Sequence, residues 1–281
     1  MSRKHFVVLA RDYRLDLGDR TLLMAILNVT PDSFSGDGQL DVRSAVSRAM
    51  RMVREGADII DVGGESTRPG AERIAAKREV QRVVPVIRAI VKQAGIPVSV
   101  DTYKPEVAQA ALDAGASIVN VVRGTPVSTR LLQVVKRFGA AVVLMHMRGT
   151  PRTMQSRTAY RDVVQDIVDE LKKSVEKCRE TGIKKESILV DPGLGFAKTA
   201  GQNLEIIRRL QEFRVLGRPV LIGPSRKSFI GKTLDLTVEK RLIGTAAVVA
   251  ASVMNGAQIV RAHDVREVKQ VVTMVDAILA A

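Results

Sequence analysis

The sequence predicts an α/β fold of the (β/α)8 type, a TIM barrel in which eight parallel strands alternate with helices. Three observations predict it: eight short apolar segments, a helical pattern after each one, and a polar residue or glycine-flanked turn where each segment ends. A doubly wound open sheet is the alternative, but eight strand–helix units in about 260 residues match a closed barrel better. No linker or composition shift divides the chain, so one domain over residues 1–281 is expected.

An amino-terminal β-hairpin is predicted before the barrel. Residues 5–17 have the hairpin pattern, with Arg11 and Asp12 near the turn, and the hairpin is expected to plug one end of the barrel. The barrel strands follow at regular intervals. They are predicted at Leu22–Asn28, Asp58–Val62, Pro97–Asp101, Ser117–Val121, Ala140–Met145, Ser187–Asp191, Pro219–Gly223 and Gln258–Ala262.

Helical patterns follow the strands and carry start and stop signals. Pro105 suits a first helical position, and Ser128 and Asp264 are candidate N-caps. Glycines such as Gly115 and Gly139 supply C-terminal stops. The helices are predicted at Asp41–Glu55, Glu72–Gln93, Pro105–Ala114, Ser128–Phe138, Arg161–Thr181, Gly201–Phe213, Glu239–Asn255 and Asp264–Leu279.

Composition and charge limit the classes of function. The chain is 46% hydrophobic but only 3% aromatic with no Trp, so its core must be aliphatic. The formal net charge is +14, which raises nucleic acid as a partner. The cations are spread over helical faces, as at Arg48, Arg51 and Arg54, and few aromatic rings are present to stack on bases. A solvated basic surface is therefore expected, and nucleic acid is not.

Cysteine content and apolar runs bear on the compartment. The single Cys178 excludes an intrachain disulfide and favours a reducing environment. The run Phe6–Ala10 is too short for a signal-peptide core, and Leu242–Met254 falls short of the ~20 residues that cross a bilayer. A cytoplasmic protein without a membrane partner is expected. Pattern alone does not decide whether Leu242–Met254 is buried between helices or faces a second subunit.

Polar side chains collect where the predicted strands end. Essentially every (β/α)8 enzyme builds its active site at that end. One Asp ending a strand is more often a helix N-cap, and a lone His263 is more often structural, but several such groups at one rim predict a polar pocket. The residues are Asn28, Asp61, Asp101, Asn120, His146, Asp191, Lys227, Arg261 and His263.

Three loops at the same rim are longer than packing alone requires. They run over Asn28–Gly38, Gly63–Ala71 and Gly223–Ser228. Gly, Pro, Asp and Ser are common in inert turns, so it is the shared rim that indicates function. The segment Gly193–Lys198 hints at a dinucleotide loop, but it lacks the third glycine and follows the sixth strand.

Four segments at this rim stand in order: Asn28–Ser35, Gly64–Gly70, Asp191–Phe196 and Ser225–Ser228. Together they resemble the signatures of the dihydropteroate synthase family, and the resemblance covers residues 20–280. It implies a transferase that joins 6-hydroxymethyl-7,8-dihydropterin pyrophosphate to para-aminobenzoate, giving dihydropteroate and pyrophosphate in folate biosynthesis. It also implies Mg²⁺ as cofactor and a homodimer.

The resemblance assigns the pterin to the strand-end carboxylates and their neighbours. A pterin presents adjacent N–H donors on its pyrimidine edge, which a buried carboxylate such as Asp191 can accept in pairs. Lys227 would donate to the ring's acceptors, and Met145 would pack against the ring. The implied pterin contacts are Asp101, Asn120, Met145, Asp191 and Lys227.

The resemblance also assigns the leaving group and the second substrate. Arg68, Arg261 and His263 match positions that hold pyrophosphate, which guanidinium groups suit geometrically, and Asn28 matches a position that helps to hold Mg²⁺. The residues matching the para-aminobenzoate pocket are Thr67, Pro69, Phe196 and Ser228, and Gly223 completes the substrate-binding set. The expected catalytic residues are Arg68, Asp101, Asp191, Lys227 and Arg261.

The implied mechanism is dissociative: pyrophosphate departs, a cationic dihydropterin methylene persists, and the arylamine attacks it. Two departures stand against the family pattern, Asn120-Val121 in place of Asn-Asp and Gly36-Asp37-Gly38 in place of Asp-Gly-Gly. The first removes a carboxylate expected near the barrel interior. They leave open a non-catalytic pterin-binding paralogue. A methyltetrahydrofolate-dependent corrinoid methyltransferase shares the barrel but should not need Ser225–Ser228.

Overall fold

A parallel sheet of eight strands follows a hairpin in the computed structural model, which describes residues 4–30, 41–67 and 70–281. The strands are β1 Phe6–Ala10, β2 Tyr13–Leu17, β3 Leu22–Asn28, β4 Ile59–Gly63, β5 Val98–Asp101, β6 Ile118–Val121, β7 Ala141–Met145, β8 Ile188–Asp191, β9 Leu221–Ile222 and β10 Ile259–Ala262. Neighbours in the sheet run β8, β7, β6, β5, β4, β3, β10 and β9.

The two edges of this sheet meet through a short contact. Val190 of β8 forms an isolated parallel bridge with Val220, and its N–H donates to the carbonyl of Pro219 at 3.1 Å. This contact closes the sheet into a barrel and removes its free edges. The predicted (β/α)8 fold with an amino-terminal hairpin is confirmed.

Helices surround the barrel because each strand must cross over to its parallel neighbour. They are α1 Val42–Arg54, α2 Ala76–Ala94, α3 Pro105–Asp113, α4 Thr129–Phe138, α5 Val163–Thr181, α6 Ala200–Arg208, α7 Ser228–Leu234, α8 Leu242–Met254 and α9 Val265–Ala280. Within the described chain, every helix is too short or too polar to cross a lipid bilayer.

The three predicted helix starts agree with the structure. Pro105 opens α3, and the Ser128 hydroxyl accepts the Leu131 N–H at the start of α4. Asp264 precedes α9 but makes no capping hydrogen bond, because its carboxylate pairs with the Arg226 guanidinium instead. Asp264 is the N-cap residue of α9, as expected, but its side chain does not form the cap hydrogen bond.

One short helix was not predicted. The loop Gly223–Ser228 leads directly into α7, which has seven residues and lies before α8. Seven residues span about two turns, too few for a helical period to stand out in the sequence. The expected helix at Glu72–Gln93 begins later, at Ala76.

Strand residues alternate between two cores. Those facing outward pack against the helices, and those facing inward fill the barrel. Val121 belongs to the outer core, whereas its neighbour Asn120 belongs to the interior polar layer. The departure at position 121 therefore falls on the helix-facing side of β6, and the expectation that it removes a carboxylate near the barrel interior is corrected.

The hairpin β1–β2 seals the amino end of the barrel. Val8, Ala10 and Leu17 join the inner core with strand residues such as Met24 and Ile59. The Ser187 hydroxyl also donates to the carbonyl of Leu9 at 2.8 Å. Since one end is filled with apolar side chains, the opposite, carboxyl end is left for a polar site.

Replacing Leu17 by Ala should destabilise the fold, because Leu17 is only 2% exposed within the inner core. The expected loss is about 2–5 kcal/mol of the free energy of unfolding, from lost burial and the remaining cavity. Urea unfolding measures it, with Arg14→Ala on the exposed side of β2 as the control. Equal midpoints for the two variants would show that the hairpin is not part of the core.

Candidate active site

The register of the barrel places polar side chains from successive strands at one level. Asp101 on β5 pairs with Asn120 on β6, and Met145 on β7 pairs with Asp191 on β8. Asn28 on β3 lies opposite Gly63 on β4. Because the strands are parallel, these side chains reach the same end of the barrel, as predicted from the sequence.

Arg261 on β10 joins three strands. Its Nε donates to Asp61 Oδ2 at 2.6 Å, and its Nη2 donates to Asp101 Oδ2 at 2.8 Å. Asn120 Nδ2 donates to the same Asp61 oxygen at 2.9 Å. The carboxylate oxygen of Asp61 accepts this bond, so the NH2 group of Asn120 faces Asp61 and its amide oxygen is not used in this contact.

Asp101 is a buried carboxyl group with unused capacity. Burial raises its pKa to about 7; Asp61 and Glu79 add to that rise, whereas Arg261 and Lys227 oppose it. Among the residues described, no donor reaches Oδ1 of Asp101 or Oδ1 of Asp61. Buried acceptors of this kind are normally satisfied, so these atoms are available to a ligand or to water.

Asp191 ends β8 beside a tight turn. Its Oδ1 accepts the Gly193 N–H at 2.7 Å, and burial raises its pKa against the opposing effects of Gly193 and Lys227. Gly193 has φ of +70°, and a Cβ there would lie 2.0 Å from the carbonyl oxygen of His146. Thr199, not Asp191, caps the next helix. The N-cap alternative for Asp191 is thus excluded.

Lys227 approaches the same space from the loop after β9. Its Nζ lies 3.9 Å from the centre of the Phe196 ring. Loss of hydration lowers its pKa to about 7, and Asp191 and Asp101 oppose that change. Gly195 makes room for it, because a Cβ there would lie 2.9 Å from Lys227 Cδ.

His263 and Ser225 form a polar pair beside Arg261. The Ser225 hydroxyl lies 3.0 Å from His263 Nδ1 and accepts the His263 backbone N–H at 3.2 Å. Burial, then the charge of Arg261, lowers the pKa of His263 to about 4, so its imidazole is neutral near pH 7. Gly223 lies next to Arg261, and a Cβ on Gly223 would be 3.8 Å from Arg261 Cβ.

An apolar wall borders the polar layer. Met145 and Phe196 are buried in one cluster, against which Tyr103 packs. Ser228 is exposed at the first position of α7, next to Lys227. The polar layer therefore combines carboxylates and cations with an apolar border. The remaining members of the cluster are Val122, Met147, Met154 and Ala197.

The second rim loop is only partly described. Thr67 is half-buried, whereas Arg68 and Pro69 lie outside the described residues, as does Asp37 of the first loop. The loop base is anchored by Glu65, which accepts the Ile74 N–H at 3.1 Å and pairs with Lys104.

Asn28 was the expected metal ligand, and its surroundings bear on that role. A Cβ on Gly63 would lie 3.5 Å from Asn28 Oδ1 and 3.7 Å from Asp101 Oδ2, so both oxygens border the same space. In the described part of the chain, no three His, Cys, Asp or Glu side chains group as a metal cage. A hard-cation site here would need oxygens from a ligand and water in addition to Asn28.

Two polar residues had no assigned role from the sequence. Asp61 lies at a strand end, which was a usable signal, yet only the structure shows it holding Asn120 and Arg261. Lys198 gave no signal, because it follows a loop rather than a strand. His146, expected at the rim, is fully buried and points to Glu170 of α5 at 3.1 Å.

Comparisons with known proteins agree with this geometry. The sequence profile of the family described as pterin binding enzymes matches residues 24–263. Dihydropteroate synthase of Synechocystis sp. is 46% identical over 265 residues, covering 94% of this chain and 92% of that protein.

Solved structures of similar proteins extend the comparison. Dihydropteroate synthase from Clostridium difficile, solved in the presence of pteroic acid, has a TM-score of 0.88 at 45% identity, covering 94% of this chain and 98% of that one. The Xanthomonas albilineans enzyme with 4-aminobenzoic acid has a TM-score of 0.91 at 38% identity, covering 99% and 100%. The fold thus has counterparts among solved dihydropteroate synthases.

Proposed function

Because this chain belongs to the family of pterin-binding enzymes, we propose that its barrel site has dihydropteroate synthase activity. The enzyme joins 6-hydroxymethyl-7,8-dihydropterin pyrophosphate to para-aminobenzoate and releases 7,8-dihydropteroate and pyrophosphate, a transfer in folate synthesis. The observation that carries this is the buried polar layer, where Asp101 and Asp191 face Lys227 and Arg261.

The pterin is proposed to lie against the carboxylates of the polar layer. Asp191 and the free Oδ1 of Asp101 accept N–H donors of the pterin, and the amide oxygen of Asn120 accepts another. Lys227 donates to ring acceptors, and Met145 packs on the ring face. These contacts would satisfy the buried acceptors that the protein itself leaves open.

The pyrophosphate is proposed to lie against the cations of the polar layer. Arg261 supplies a guanidinium fork that matches phosphate oxygens, and His263 lies beside it, with Arg68 completing the set. Mg²⁺ fits this arrangement, with Asn28 as its protein ligand and phosphate oxygens and water as the others. When bound, Mg²⁺ neutralises charge on the departing pyrophosphate.

Para-aminobenzoate is proposed to enter beside the pterin methylene. Phe196 and Ser228 lie next to Lys227, at the wall of the cavity. Thr67 and Pro69 would border the pocket from the second loop, and Gly223 would border it next to Arg261. The arylamine is thereby held near the carbon that it attacks.

The chemistry asked of the chain is electrostatic and positional. Arg261 and Arg68 stabilise the charge that develops on the leaving group, and the carboxylates Asp101 and Asp191 stabilise the electron-poor pterin. As the C–O bond to pyrophosphate breaks, the exclusion of water by the cavity wall protects the cationic methylene until the arylamine attacks. The arylamine then loses a proton, and dihydropteroate is released.

Incubation with dihydropterin pyrophosphate, para-aminobenzoate and Mg²⁺ tests the proposal. Dihydropteroate detected by mass and pyrophosphate released in equal amount are the expected result. Binding of the pterin substrate without product would instead identify a non-catalytic paralogue. The relatives named above are dihydropteroate synthases, which favours the synthase over the corrinoid-dependent methyltransferase.

The rate is expected to depend on pH through Asp101 and Lys227. Asp101 must be ionised to accept from the pterin, and Lys227 must be protonated to donate, and each has a pKa of about 7. A plot of kcat/KM for the pterin substrate should therefore be bell-shaped with its maximum near neutrality, falling at acid pH as Asp101 is protonated and at alkaline pH as Lys227 loses its proton. A flat profile between pH 5.5 and 9, in steps of about half a unit, would contradict these roles.

A homodimer is proposed on the exposed apolar faces of α8 and α9. Ile243 is 83% exposed and Met274 is 64% exposed, and Ala247 and Met254 continue the α8 stripe at helical spacing. The other face of α8, including Val249, is buried, so this helix packs inward and presents apolar side chains outward. Light scattering should give the mass of a dimer for the wild type and of a monomer for Ile243→Asp. A wild-type monomer would exclude the proposal.

A cytoplasmic location is proposed from the state of the single thiol. Cys178 is buried in α5, and burial raises its pKa to about 12. A thiol that stays protonated and buried is unreactive, which suits a reducing compartment. Fractionation of the source cells, followed by immunoblotting, tests this.

A further inference from the structure

A buried chain of polar side chains lies beside the turn that follows Asp191 and takes no part in the proposed reaction. It begins at Lys198, whose Nζ has three neighbours at hydrogen-bond distance: His146 Nδ1 at 3.0 Å, the Gly193 carbonyl at 3.0 Å and the Phe196 carbonyl at 2.8 Å. Lys198 is 3% exposed. Fully buried lysines are rare, because removing the ammonium group from water costs free energy. The three hydrogen bonds of Lys198 offset part of that cost and connect it to the loop.

The chain continues from His146 to the surface. His146 Nε2 lies 3.1 Å from Glu170 Oε2, and Glu170 accepts from the Arg148 guanidinium at 2.8 Å. Arg148 stacks on the Tyr160 ring, 4.0 Å from its centre. Lys198 is thus connected through the His146 side chain to a charged pair, Glu170 on α5 and Arg148 in the loop after β7.

The partners of His146 fix its tautomer. Burial, then the charge of Lys198, lowers the pKa of His146 to about 4, so the ring is neutral near pH 7. Burial works against ionisation of Glu170, but hydrogen bonds from His146 and Arg148 lower its pKa to about 2. Since an ionised Glu170 only accepts, the proton lies on Nε2 and Nδ1 accepts from Lys198.

The contacts of Lys198 favour its ammonium form. Burial lowers the pKa of Lys198 to about 7, and the charge of Asp191 opposes this. All three neighbours of Nζ are acceptors, and only the protonated form has three N–H groups to satisfy them. The charge of the Lys198 ammonium group acts on Asp191.

The loop that Lys198 holds carries backbone strain. Ala197 has φ of +54°, a left-handed conformation that disfavours a side chain. Its carbonyl accepts the Tyr160 hydroxyl at 3.0 Å, so the loop is tied at successive residues. Within the same turn, Gly193 supports Asp191 and Phe196 contacts Lys227. Without the hydrogen bonds of Lys198, the loop would no longer hold Gly193 against Asp191 or Phe196 against Lys227.

We propose that Lys198, oriented by His146 and Glu170, is a positioning residue that fixes the Gly193–Phe196 loop and, with it, the placement of Asp191 for pterin recognition. Lys198 touches no substrate and acts through the two carbonyl groups and its charge. The proposal rests on the proposed synthase function. It adds that a glutamate on the outer helix α5 affects recognition inside the barrel.

Lys198→Met tests this, because Met keeps the length of the side chain and removes its charge and donors. We expect kcat/KM for the pterin substrate to fall about 10- to 100-fold, mainly through KM, because Asp191 and Phe196 lose their placement. The acid limb of the pH profile should also move to higher pH, because loss of the Lys198 charge raises the pKa of Asp191, which then adds to the effect of Asp101 at acid pH. Lys177→Met is the matched control; that lysine of α5 donates to the Val127 carbonyl at 2.8 Å, away from the site.

Glu170→Gln is the second variant and keeps the test open if Lys198→Met does not fold. A glutamine can donate to Nε2, which allows the proton to move to Nδ1 and oppose Lys198. The chain has only three histidines, so imidazole 15N shifts report the His146 tautomer directly. We expect the Nε2–H form in the wild type, a mixed population in Glu170→Gln, and a several-fold rise in KM.

Failure of this proposal is distinguishable from failure of the synthase function. An inactive wild type that still shows the Nε2–H tautomer would reject the function alone. An active wild type would reject the role of Lys198 if Lys198→Met kept wild-type kcat/KM and an unmoved acid limb, or if its loss matched that of Lys177→Met. A wild-type Nδ1–H tautomer would also overturn it.

Discussion

Asp191→Asn should abolish most turnover. The amide replaces one accepting oxygen by an NH2 group, which would face the N–H donors of the pterin. A buried site built to accept hydrogen bonds discriminates strongly when a partner is lost, so kcat/KM should fall by about 10³-fold or more. The backbone donor Gly193 still finds an acceptor in the variant, and the fold should therefore be retained.

Steady-state rates at several concentrations of the pterin substrate measure this. Asp169→Asn, the same substitution at an exposed position on α5, is the control and should stay within about twofold of the wild type. Because the loss arises in pterin recognition, saturating para-aminobenzoate should not restore the rate. A variant with wild-type kcat/KM would remove Asp191 from the site.

Arg261→Met should cost both stability and activity. Arg261 is the shared partner of Asp61 and Asp101, so its removal leaves two buried carboxylates facing each other. Breaking a buried ion pair by removing one partner costs about 3–5 kcal/mol. Activity should fall further than stability accounts for, because the leaving pyrophosphate also loses its guanidinium group.

The pH dependence of that loss has a defined sign. The pKa of Asp101 is already raised by burial, and without Arg261 it would rise further above its unfolded value. The folded variant would then bind more protons than the unfolded chain, so its stability should fall as pH rises from about 4 through the folded pKa. Urea unfolding should therefore show a larger deficit at pH 8 than at pH 5. A pH-independent deficit would mean that Asp61 and Asp101 are not the groups left unpaired.

A triple variant separates the loss of stability from the loss of activity, because it removes the two carboxylates together with Arg261. In Arg261→Met combined with Asp61→Asn and Asp101→Asn, no buried charge is left unpaired at this point of the barrel. Replacing a whole buried ionic group is often neutral, so stability should largely recover. Activity should not, because Asp101 and Arg261 are both needed for binding. Recovery of activity would show that neither residue contacts substrate.

The rim was predictable from sequence because its position follows from topology. Parallel strands must align their carboxyl ends, so Asp101, Asn120, Asp191 and Arg261 could be placed together before any contact was known. The structure brings these four residues into one polar layer. Roles for Arg68 and Pro69 stay predictions, since both lie outside the described residues.

The partners of the rim residues were not predictable. Alternation places Asp61 inside the barrel, but it does not show that one oxygen serves both Asn120 and Arg261. Lys198 reaches its three partners only because the loop before α6 folds back on β7, which depends on a positive φ at Ala197 and on Gly193. The N-cap position of Asp264 was predicted, but its pairing with Arg226 was not, because the two residues are far apart in the sequence.

A crystal structure with bound dihydropterin pyrophosphate tests most directly whether the strand-end residues bind the substrate together. We expect the pyrimidine edge of the pterin to lie within hydrogen-bond distance of Asp191 and Asn120. The pyrophosphate should contact Arg261 and His263. Density for the substrate at another surface, with the Arg261–Asp101 and Asp61–Asn120 contacts unchanged and the polar layer empty of ligand, would contradict this expectation.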